Sequence, residues 1–106
     1  MSYVVAFSPE ALDRLDAIEQ YIAETGSPIT AARYVDAIVS YCEELTQFPL
    51  RGRQRDDLMM NLRITNYRGN AIIAYLVSEA SHVVTVVGVF YGGQNYDSIF
   101  QEQPPE

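Results

Sequence analysis

The chain has 106 residues, enough for one domain with a modest hydrophobic core and no need of internal cross-links. Its seven basic residues are all arginine and its fourteen acidic residues bring the net charge to −7, which works against general affinity for nucleic acid. A single cysteine excludes an internal disulfide and favours a cytoplasmic protein, and no apolar run exceeds the length of a strand, so no membrane segment is predicted.

The first third of the chain predicts one strand and two helices. Residues 2–7 form the strand, and a serine–proline pair at residues 8–9 begins a helix, because serine caps well and proline fits the first helical position. The same signal at residues 27–28 follows Gly26, which is expected to end the first helix with a left-handed cap. Amphipathic helices joined by so short a turn are expected to be antiparallel. The positions with helical spacing are Leu12, Leu15, Ile18 and Ile22, and then Ala31, Val35, Ile38, Cys42 and Leu45.

Three apolar runs in the second half predict an antiparallel meander. They span residues 62–68, 71–79 and 83–91, and their connections are short. If all elements alternate in direction, the first strand opposes the last and pairs with it antiparallel. The predicted fold is α+β, with an N-terminal strand, an antiparallel helical hairpin and a three-stranded antiparallel meander, four strands in one sheet.

The whole chain, residues 1–106, is expected to be a single domain. Its last six residues, 101–106, lack apolar periodicity and are predicted to form a mobile tail.

The sequence does not predict a metal site or a catalytic residue. The only histidine, His82, is interpreted as a solvated turn residue, and Cys42 as a small core hydrophobe. One histidine and one cysteine cannot supply a zinc ligand set, and no phosphate-binding glycine loop is found. We therefore expect neither a metal nor a cofactor.

Basic residues are concentrated in residues 51–68, which we call the arginine belt. Five of the seven arginines lie there, with only Asp56 and Asp57 as acids. Three of these arginines, Arg51, Arg53 and Arg55, either pair with acids of the chain or face a partner, and the sequence leaves both alternatives open. Arg63 and Arg68 lie on a predicted strand, so they are the better candidates for binding a partner's carboxylate or phosphate.

The last predicted strand ends in a glycine pair followed by three larger residues. Glycine pairs allow positive φ, so the chain is expected to turn sharply and to display the residues beyond the sheet. The alternative is a plain sheet terminus whose glycines only make a turn. The candidate binding residues are Gly92, Gly93, Gln94, Asn95 and Tyr96.

In this order, the motifs resemble the ParE/RelE toxin superfamily, and more closely its ParE branch. The chain departs from the usual pattern at Asn61, where a glycine is common, and at Asn95, where an aspartate often follows GGQ. The matching segments are FSPEALDRLDAIEQYIA, the second serine–proline pair, the loop containing Phe48-Pro49, Gly52 and Arg55-Asp56-Asp57-Leu58, and then LRITNYR, IIAYLV and GGQNY.

The resemblance implies a type II toxin that inhibits DNA gyrase and that a ParD-like antitoxin neutralises by wrapping the helical hairpin and a sheet edge. It directs attention to residues 92–96 as the gyrase-binding segment, without covalent chemistry or a cofactor. Because the chain is acidic, direct DNA binding by the toxin alone is not expected. The candidate antitoxin-binding residues are Tyr21, Tyr34 and Tyr41 of the helices, whose rings could instead rim the core, together with Arg63 and Arg68.

Two other functions remain open. RelE-like relatives cleave messenger RNA on the ribosome, and Arg63, Arg68, Tyr91 and Tyr96 could supply parts of such a site. The absence of lysine and the net charge of −7 disfavour an RNA-rich target, so no enzyme activity is predicted. The chain could also be an inactive interaction module that only binds its antitoxin.

Overall fold

The computed structural model describes residues 2–94, 96, 99 and 100. Within this part of the chain, neither helix has the length and hydropathy needed to cross a bilayer. A short 3₁₀ turn at Glu44–Thr46 follows the second helix. The elements in chain order are β1 (Val4–Phe7), α1 (Pro9–Thr25), α2 (Pro28–Glu43), β2 (Arg53–Gln54), β3 (Leu62–Tyr67), β4 (Ala71–Ser78) and β5 (Val83–Tyr91).

Both helices begin at the predicted serine caps. The Ser8 hydroxyl accepts a hydrogen bond from the Ala11 N–H at 3.1 Å, and the Ser27 hydroxyl accepts one from the Thr30 N–H at 3.1 Å. Each cap satisfies an N–H group that has no partner inside the helix, which stabilises the helix start. Gly26 caps the end of α1 as expected, but its φ is −136°, so the predicted left-handed cap is wrong.

In the described part of the chain the sheet has five strands in the order β1-β5-β4-β3-β2, and β1 pairs with β5 in parallel. The predicted four-stranded sheet and the predicted antiparallel pairing of the first and last strands are therefore wrong. The physical reason is strand β2, which lies in the loop after α2 and pairs antiparallel with β3. This additional strand adds one reversal of chain direction before the meander, so β5 runs in the same direction as β1. The meander itself is antiparallel, as predicted.

The two faces of the sheet bury separate hydrophobic clusters. The front face carries the helical hairpin, and there Tyr75 and Val86 are fully buried against core residues of the helices such as Ile38. The helical stripe differs from the prediction at its start, where Ala11 is buried and Leu12 is half exposed. On the opposite face lies a back cluster of Leu62, Ile64, Ala74 and Phe90, covered by partly buried residues that include Leu58, Met59, Tyr96, Ile99 and Phe100.

A β-bulge in β5 decides which side chains reach each face. Ala74 pairs with Gly88, but the next residue, Tyr75, pairs with Val86, so Val87 is the extra residue. A bulge of one residue reverses the alternation of side chains beyond it. Phe90 therefore packs in the back cluster, while Tyr91 packs against the front cluster beneath the helices.

Candidate functional site

The glycine turn after β5 has the predicted geometry. Gly92 and Gly93 have φ values of +69° and +83°, a region that side chains disfavour. Both glycines are exposed, and a Cβ built at either one meets no atom within 4 Å. The Gly92 N–H donates a hydrogen bond to the Asn70 carbonyl at 3.2 Å, which ties this turn to the β3–β4 turn. The turn is thus open to a partner but anchored at its base.

Two of the three candidate residues after the glycines are described, and they lie in different surroundings. Gln94 is exposed, and its Oε1 accepts a hydrogen bond from the Tyr91 N–H at 3.0 Å. Tyr96 is partly buried in the back cluster, where its ring lies 6.1 Å from that of Phe90. The candidate Asn95 lies outside the described residues. Gln94 therefore caps the end of the strand, a role that the sequence reading did not anticipate.

Five tyrosines form a continuous series of edge-to-face contacts, which we call the tyrosine ladder. In order they are Tyr21, Tyr91, Tyr34, Tyr67 and Tyr41, with successive ring centroids separated by 6.2, 5.3, 6.0 and 5.2 Å. Edge-to-face pairs at these distances are favourable beyond the area they bury. The structure thus brings together the three helical tyrosines proposed for antitoxin binding and adds two from strand ends that the sequence reading did not include in that surface.

The hydroxyl groups of the ladder are not equally satisfied. The Tyr41 hydroxyl donates to the Asn66 carbonyl at 3.1 Å and lies 3.1 Å from the Thr65 hydroxyl. The Tyr34 hydroxyl is buried and has no hydrogen-bond partner among the described residues. Burial raises the pKa of Tyr34, and the neighbouring Tyr91 adds to this increase. The middle of the ladder is therefore an apolar contact region with one buried polar atom.

Two arginines of the belt pair with acids of the chain. The Arg55 guanidinium makes a two-point contact with the Asp57 carboxylate at 2.9 and 2.8 Å, and this hydrogen bonding lowers the pKa of Asp57. Arg51 pairs with Glu44 at 3.3 Å. Arg53 is exposed and makes no ion pair within 4.0 Å among the residues that the structure describes. Internal pairing thus accounts for two of the three arginines for which the sequence left the choice open.

Arg63 and Arg68, both predicted on a strand and proposed as partner contacts, also differ. Arg63 donates hydrogen bonds from one guanidinium nitrogen to the carbonyls of Leu50 and Gly52, at 3.2 and 2.7 Å. It therefore holds the loop before β2 in place. Arg68 lies just after the end of β3, so its predicted position on a strand is wrong. It is exposed, has a φ of +53°, and its guanidinium lies 5.6 Å from the ring of Tyr67, the fourth tyrosine of the ladder. Of these two arginines, Arg68 is the more accessible to a partner.

A groove of about 350 Å³ lies between helix α1 and the glycine turn. It joins Tyr21, a candidate for antitoxin binding, to Gly92 and Gln94, candidates for target binding. It also contains Arg14, which the sequence reading did not single out, because an arginine on an amphipathic helix has the pattern of an ordinary solvated residue. The remaining lining residues are Ala17, Ile18, Val89 and Tyr91.

Comparison with known families places this arrangement in context. The model of the family described as "ParE toxin of type II toxin-antitoxin system, parDE" matches residues 5–96. The matched part contains the helical hairpin, the sheet and the glycine turn. The chain belongs to the ParE toxin family. No curated protein matches the sequence at a significant level.

Solved structures share the fold of this ParE-family chain. A chain of the chromosomal ParDE system from P. aeruginosa superimposes with a TM-score of 0.71 at 20% identity, covering 85% of this chain and 96% of that one. A chain of the RelBE2 toxin–antitoxin complex from Mycobacterium tuberculosis superimposes with a TM-score of 0.69 at 19% identity, covering 87% of this chain and 100% of that one. A mutant of the E. coli toxin RelE in the free state gives 0.63 at 16% identity, with 93% of each chain covered. At sequence identities of 20% or less, the structural similarity shows only that the fold is shared.

Asn61 is the first departure from the usual ParE pattern, and the backbone explains it. Its φ is +67°, a region where glycine is unstrained and asparagine is the next best tolerated residue. Its N–H donates a hydrogen bond to the Asp56 carboxylate at 2.8 Å. Hydrogen bonds from the Gln54 side chain and from this N–H lower the pKa of Asp56. In this ParE-family chain, asparagine therefore preserves the turn that leads into β3.

Proposed function

We propose that this chain is the toxin of a type II toxin–antitoxin system, that it acts in the cytoplasm by binding DNA gyrase, and that a ParD-like antitoxin neutralises it in a hetero-oligomeric complex. The single observation that carries the proposal is the family match from residue 5 to residue 96, which reaches into the turn after β5. The exposed, left-handed glycines of that turn support it as a contact surface, since binding residues are often displayed on loops held by a rigid sheet.

The tyrosine ladder supports the antitoxin part of the proposal. Tyr21 is 56% exposed at one end of the ladder, and Arg68 is exposed near the other. Tyrosine and arginine are enriched at protein interfaces because they bury large areas at a low entropic cost or make several hydrogen bonds. An antitoxin segment that folds on binding can cover these residues together with the outer face of the hairpin.

A RelE-like ribonuclease is the second candidate, and one contact favours it. The Arg55 guanidinium donates to the Tyr96 hydroxyl at 3.2 Å, so a cation and a phenol lie together beside the arginine belt. Phosphodiester cleavage needs cations that can turn toward a phosphate. Here Arg55 is engaged with Asp57 and Arg63 with backbone carbonyls, in a chain of net charge −7. We therefore rank non-catalytic inhibition above nuclease activity.

The experiment is a gyrase supercoiling assay with the purified chain, alongside ribosome-dependent cleavage of messenger RNA. We expect inhibition of supercoiling and no cleavage, and cleavage would reverse the ranking of the two candidates. Expression without an antitoxin distinguishes the third function. Filamentation with damaged DNA is expected for a gyrase inhibitor, whereas healthy growth with accumulated protein would indicate an inactive interaction module.

The target site is tested with Gln94→Ala combined with Tyr96→Ala, which we expect to abolish inhibition. The matched control is Tyr96→Phe, because it removes the hydroxyl contact with Arg55 and keeps the ring in the back cluster. Circular dichroism and antitoxin binding report whether each variant is folded. A folded double variant that binds antitoxin and inhibits at full strength would show that the turn is not the gyrase site.

A further inference from the structure

Strand β5 has an uncovered outer edge at the groove beside α1. Strand β1 pairs only with residues 83–86 of β5, so the outer edge of residues 87–91 has no strand neighbour among the described residues. The Tyr91 N–H at the end of this edge is capped by the side chain of Gln94. An uncovered strand edge beside a groove favours an extended peptide as its occupant.

Among the residues that the structure describes, Arg14 is the one cation that lines this groove. Its guanidinium carbon lies 4.5 Å from the centroid of the Phe90 ring, so the side chain crosses the free edge of β5 toward the back cluster. Among the described residues, no carboxylate makes an ion pair with it within 4.0 Å. Glu10, one helical turn earlier, lines a neighbouring cavity together with Arg14 but is not paired with it. A guanidinium stacked on a ring keeps a fixed direction and retains N–H groups for a carboxylate.

The remaining walls of the groove are apolar and aromatic. Ile18 and Val89 are buried at its base, and Tyr21 and Tyr91 stand in edge-to-face contact at its side. Gly92 lies at the far end, with open space around its Cα. One cation in apolar surroundings selects for one acidic side chain within an otherwise uncharged segment, because an unpaired charge buried there would be costly.

We propose that Arg14 is a specificity-determining residue of the toxin, and that its guanidinium binds the carboxylate of a single acidic residue in an otherwise uncharged, extended segment of gyrase lying in this groove. The inference rests on the proposed function and deepens it, because it extends the target contact from the glycine turn onto helix α1. Since the chain carries a net charge of −7, a carboxylate on the target is repelled at long range, and a local cation must compensate for this repulsion.

The test compares Arg14→Glu with Arg33→Glu in the supercoiling assay, using the full chain. The two substitutions change the net charge equally, and Arg33 is an exposed residue of α2 that does not line the groove. Arg14→Glu is expected to raise the concentration needed for half-inhibition at least about tenfold, while Arg33→Glu should change it less than about twofold. Arg14→Gln, which removes the charge and keeps much of the length, should lie between them and should make inhibition less sensitive to salt.

The outcomes separate the inference from the function on which it rests. If the unaltered chain does not inhibit gyrase, the proposed function is wrong and the inference falls with it. If the unaltered chain inhibits and both Arg14 variants inhibit equally well, only the inference is wrong. If the Arg14 variants lose antitoxin binding but not inhibition, the groove belongs to the antitoxin and the gyrase assignment is overturned. Thermal unfolding identifies a misfolded variant. If Arg14→Glu or Arg14→Gln is misfolded, Arg14→Lys tests the inference in its place, and it should keep most of the inhibition.

Discussion

The hydroxyl of Tyr75 accepts a hydrogen bond from the backbone N–H of Gly52 at 2.9 Å. Tyr75 is fully buried in the centre of β4, and Gly52 lies in the loop just before β2. This contact and the two hydrogen bonds donated by Arg63 attach the start of the arginine belt to the sheet. A Cβ at Gly52 would lie 2.5 Å from the Ile64 carbonyl oxygen, so a side chain at this position forces the loop away from β3.

Replacing Gly52 with alanine should destabilise the protein by about 1–3 kcal/mol or more, because the new methyl group meets backbone atoms that cannot move aside. Tyr75→Phe should cost about 1–3 kcal/mol, because it leaves the Gly52 N–H without this acceptor. The control is Gly69→Ala, where φ is +76° and no atom lies within 4 Å, so only the backbone cost of about 1–2 kcal/mol applies. Urea unfolding measures all three. Equal stability of Gly52→Ala and the unaltered chain would contradict the steric argument.

Asn61 should tolerate glycine and reject branched side chains. Asn61→Gly is expected to stay within about 0.5 kcal/mol of the unaltered stability, since glycine adopts a φ of +67° without strain. Asn61→Val should lose about 1–2 kcal/mol, because its Cβ clashes with the backbone in the left-handed region. Thermal or urea unfolding distinguishes the two. A valine variant as stable as the glycine variant would mean that the turn changes its conformation freely.

Removing the buried hydroxyl of Tyr34 should not harm the fold. Tyr34→Phe is expected to be neutral or up to about 1 kcal/mol more stable, because that hydroxyl has no hydrogen-bond partner among the described residues. Tyr41→Phe is the matched comparison, and it should lose about 1 kcal/mol, because the Tyr41 hydroxyl contacts Thr65 and Asn66. Both are measured by urea unfolding. A large loss for Tyr34→Phe would show that its hydroxyl has a partner in solution, such as a bound water.

Cys42 should make the stability of the protein depend on pH in the alkaline range. Burial raises the pKa of its thiol to about 12, and the neighbouring Glu43 adds to this increase. A raised pKa in the folded state means that the full stability is present below the unfolded pKa near 9 and is lost as the pH rises toward 12. Between pH 7 and pH 10 the unaltered chain should therefore lose about 1.4 kcal/mol more than Cys42→Ala does.

Urea unfolding of both proteins at several pH values checks this difference. The same burial predicts that thiol reagents at pH 8 react with Cys42 only after unfolding, since the thiolate is the reactive form. Rapid labelling of the native protein, or an identical pH dependence of stability in the two proteins, would contradict the burial of the Cys42 thiol.

The antitoxin complex should persist when the salt concentration is raised. If the antitoxin covers the hairpin, the tyrosine ladder and the strand that contains Arg63, most of the contact is apolar and aromatic. Its dissociation constant should then change less than about tenfold between roughly 0.1 and 1 M salt, since screening weakens exposed charge pairs and leaves apolar contacts intact. Tyr21→Ala should weaken the complex more than Gln20→Ala, its exposed neighbour. Complete dissociation in high salt would rule out the apolar interface.

The sequence alone predicts the helices, the meander and the glycine turn, because the signals for them are local. The serine caps at Ser8 and Ser27, the burial of Cys42 and the positive φ of Gly92 each depend on interactions within a few residues or on one repeated spacing. Such features are encoded where they occur, so the sequence alone is sufficient to predict them. The match to the ParE family extends over the same segments.

Only the tertiary structure decided the direction of β1 and the composition of the site. Strand β2 has two residues, too few to show a period, yet it reverses the chain once more and makes β1 parallel to β5. The bulge at Val87 then exchanges the faces that Phe90 and Tyr91 would otherwise occupy, a change that regular alternation does not predict. The Tyr91–Tyr34 contact and the position of Arg14 over Phe90 depend on these pairings between distant parts of the chain. The local spacing of residues does not specify such long-range contacts, so the groove can be identified only in the folded molecule.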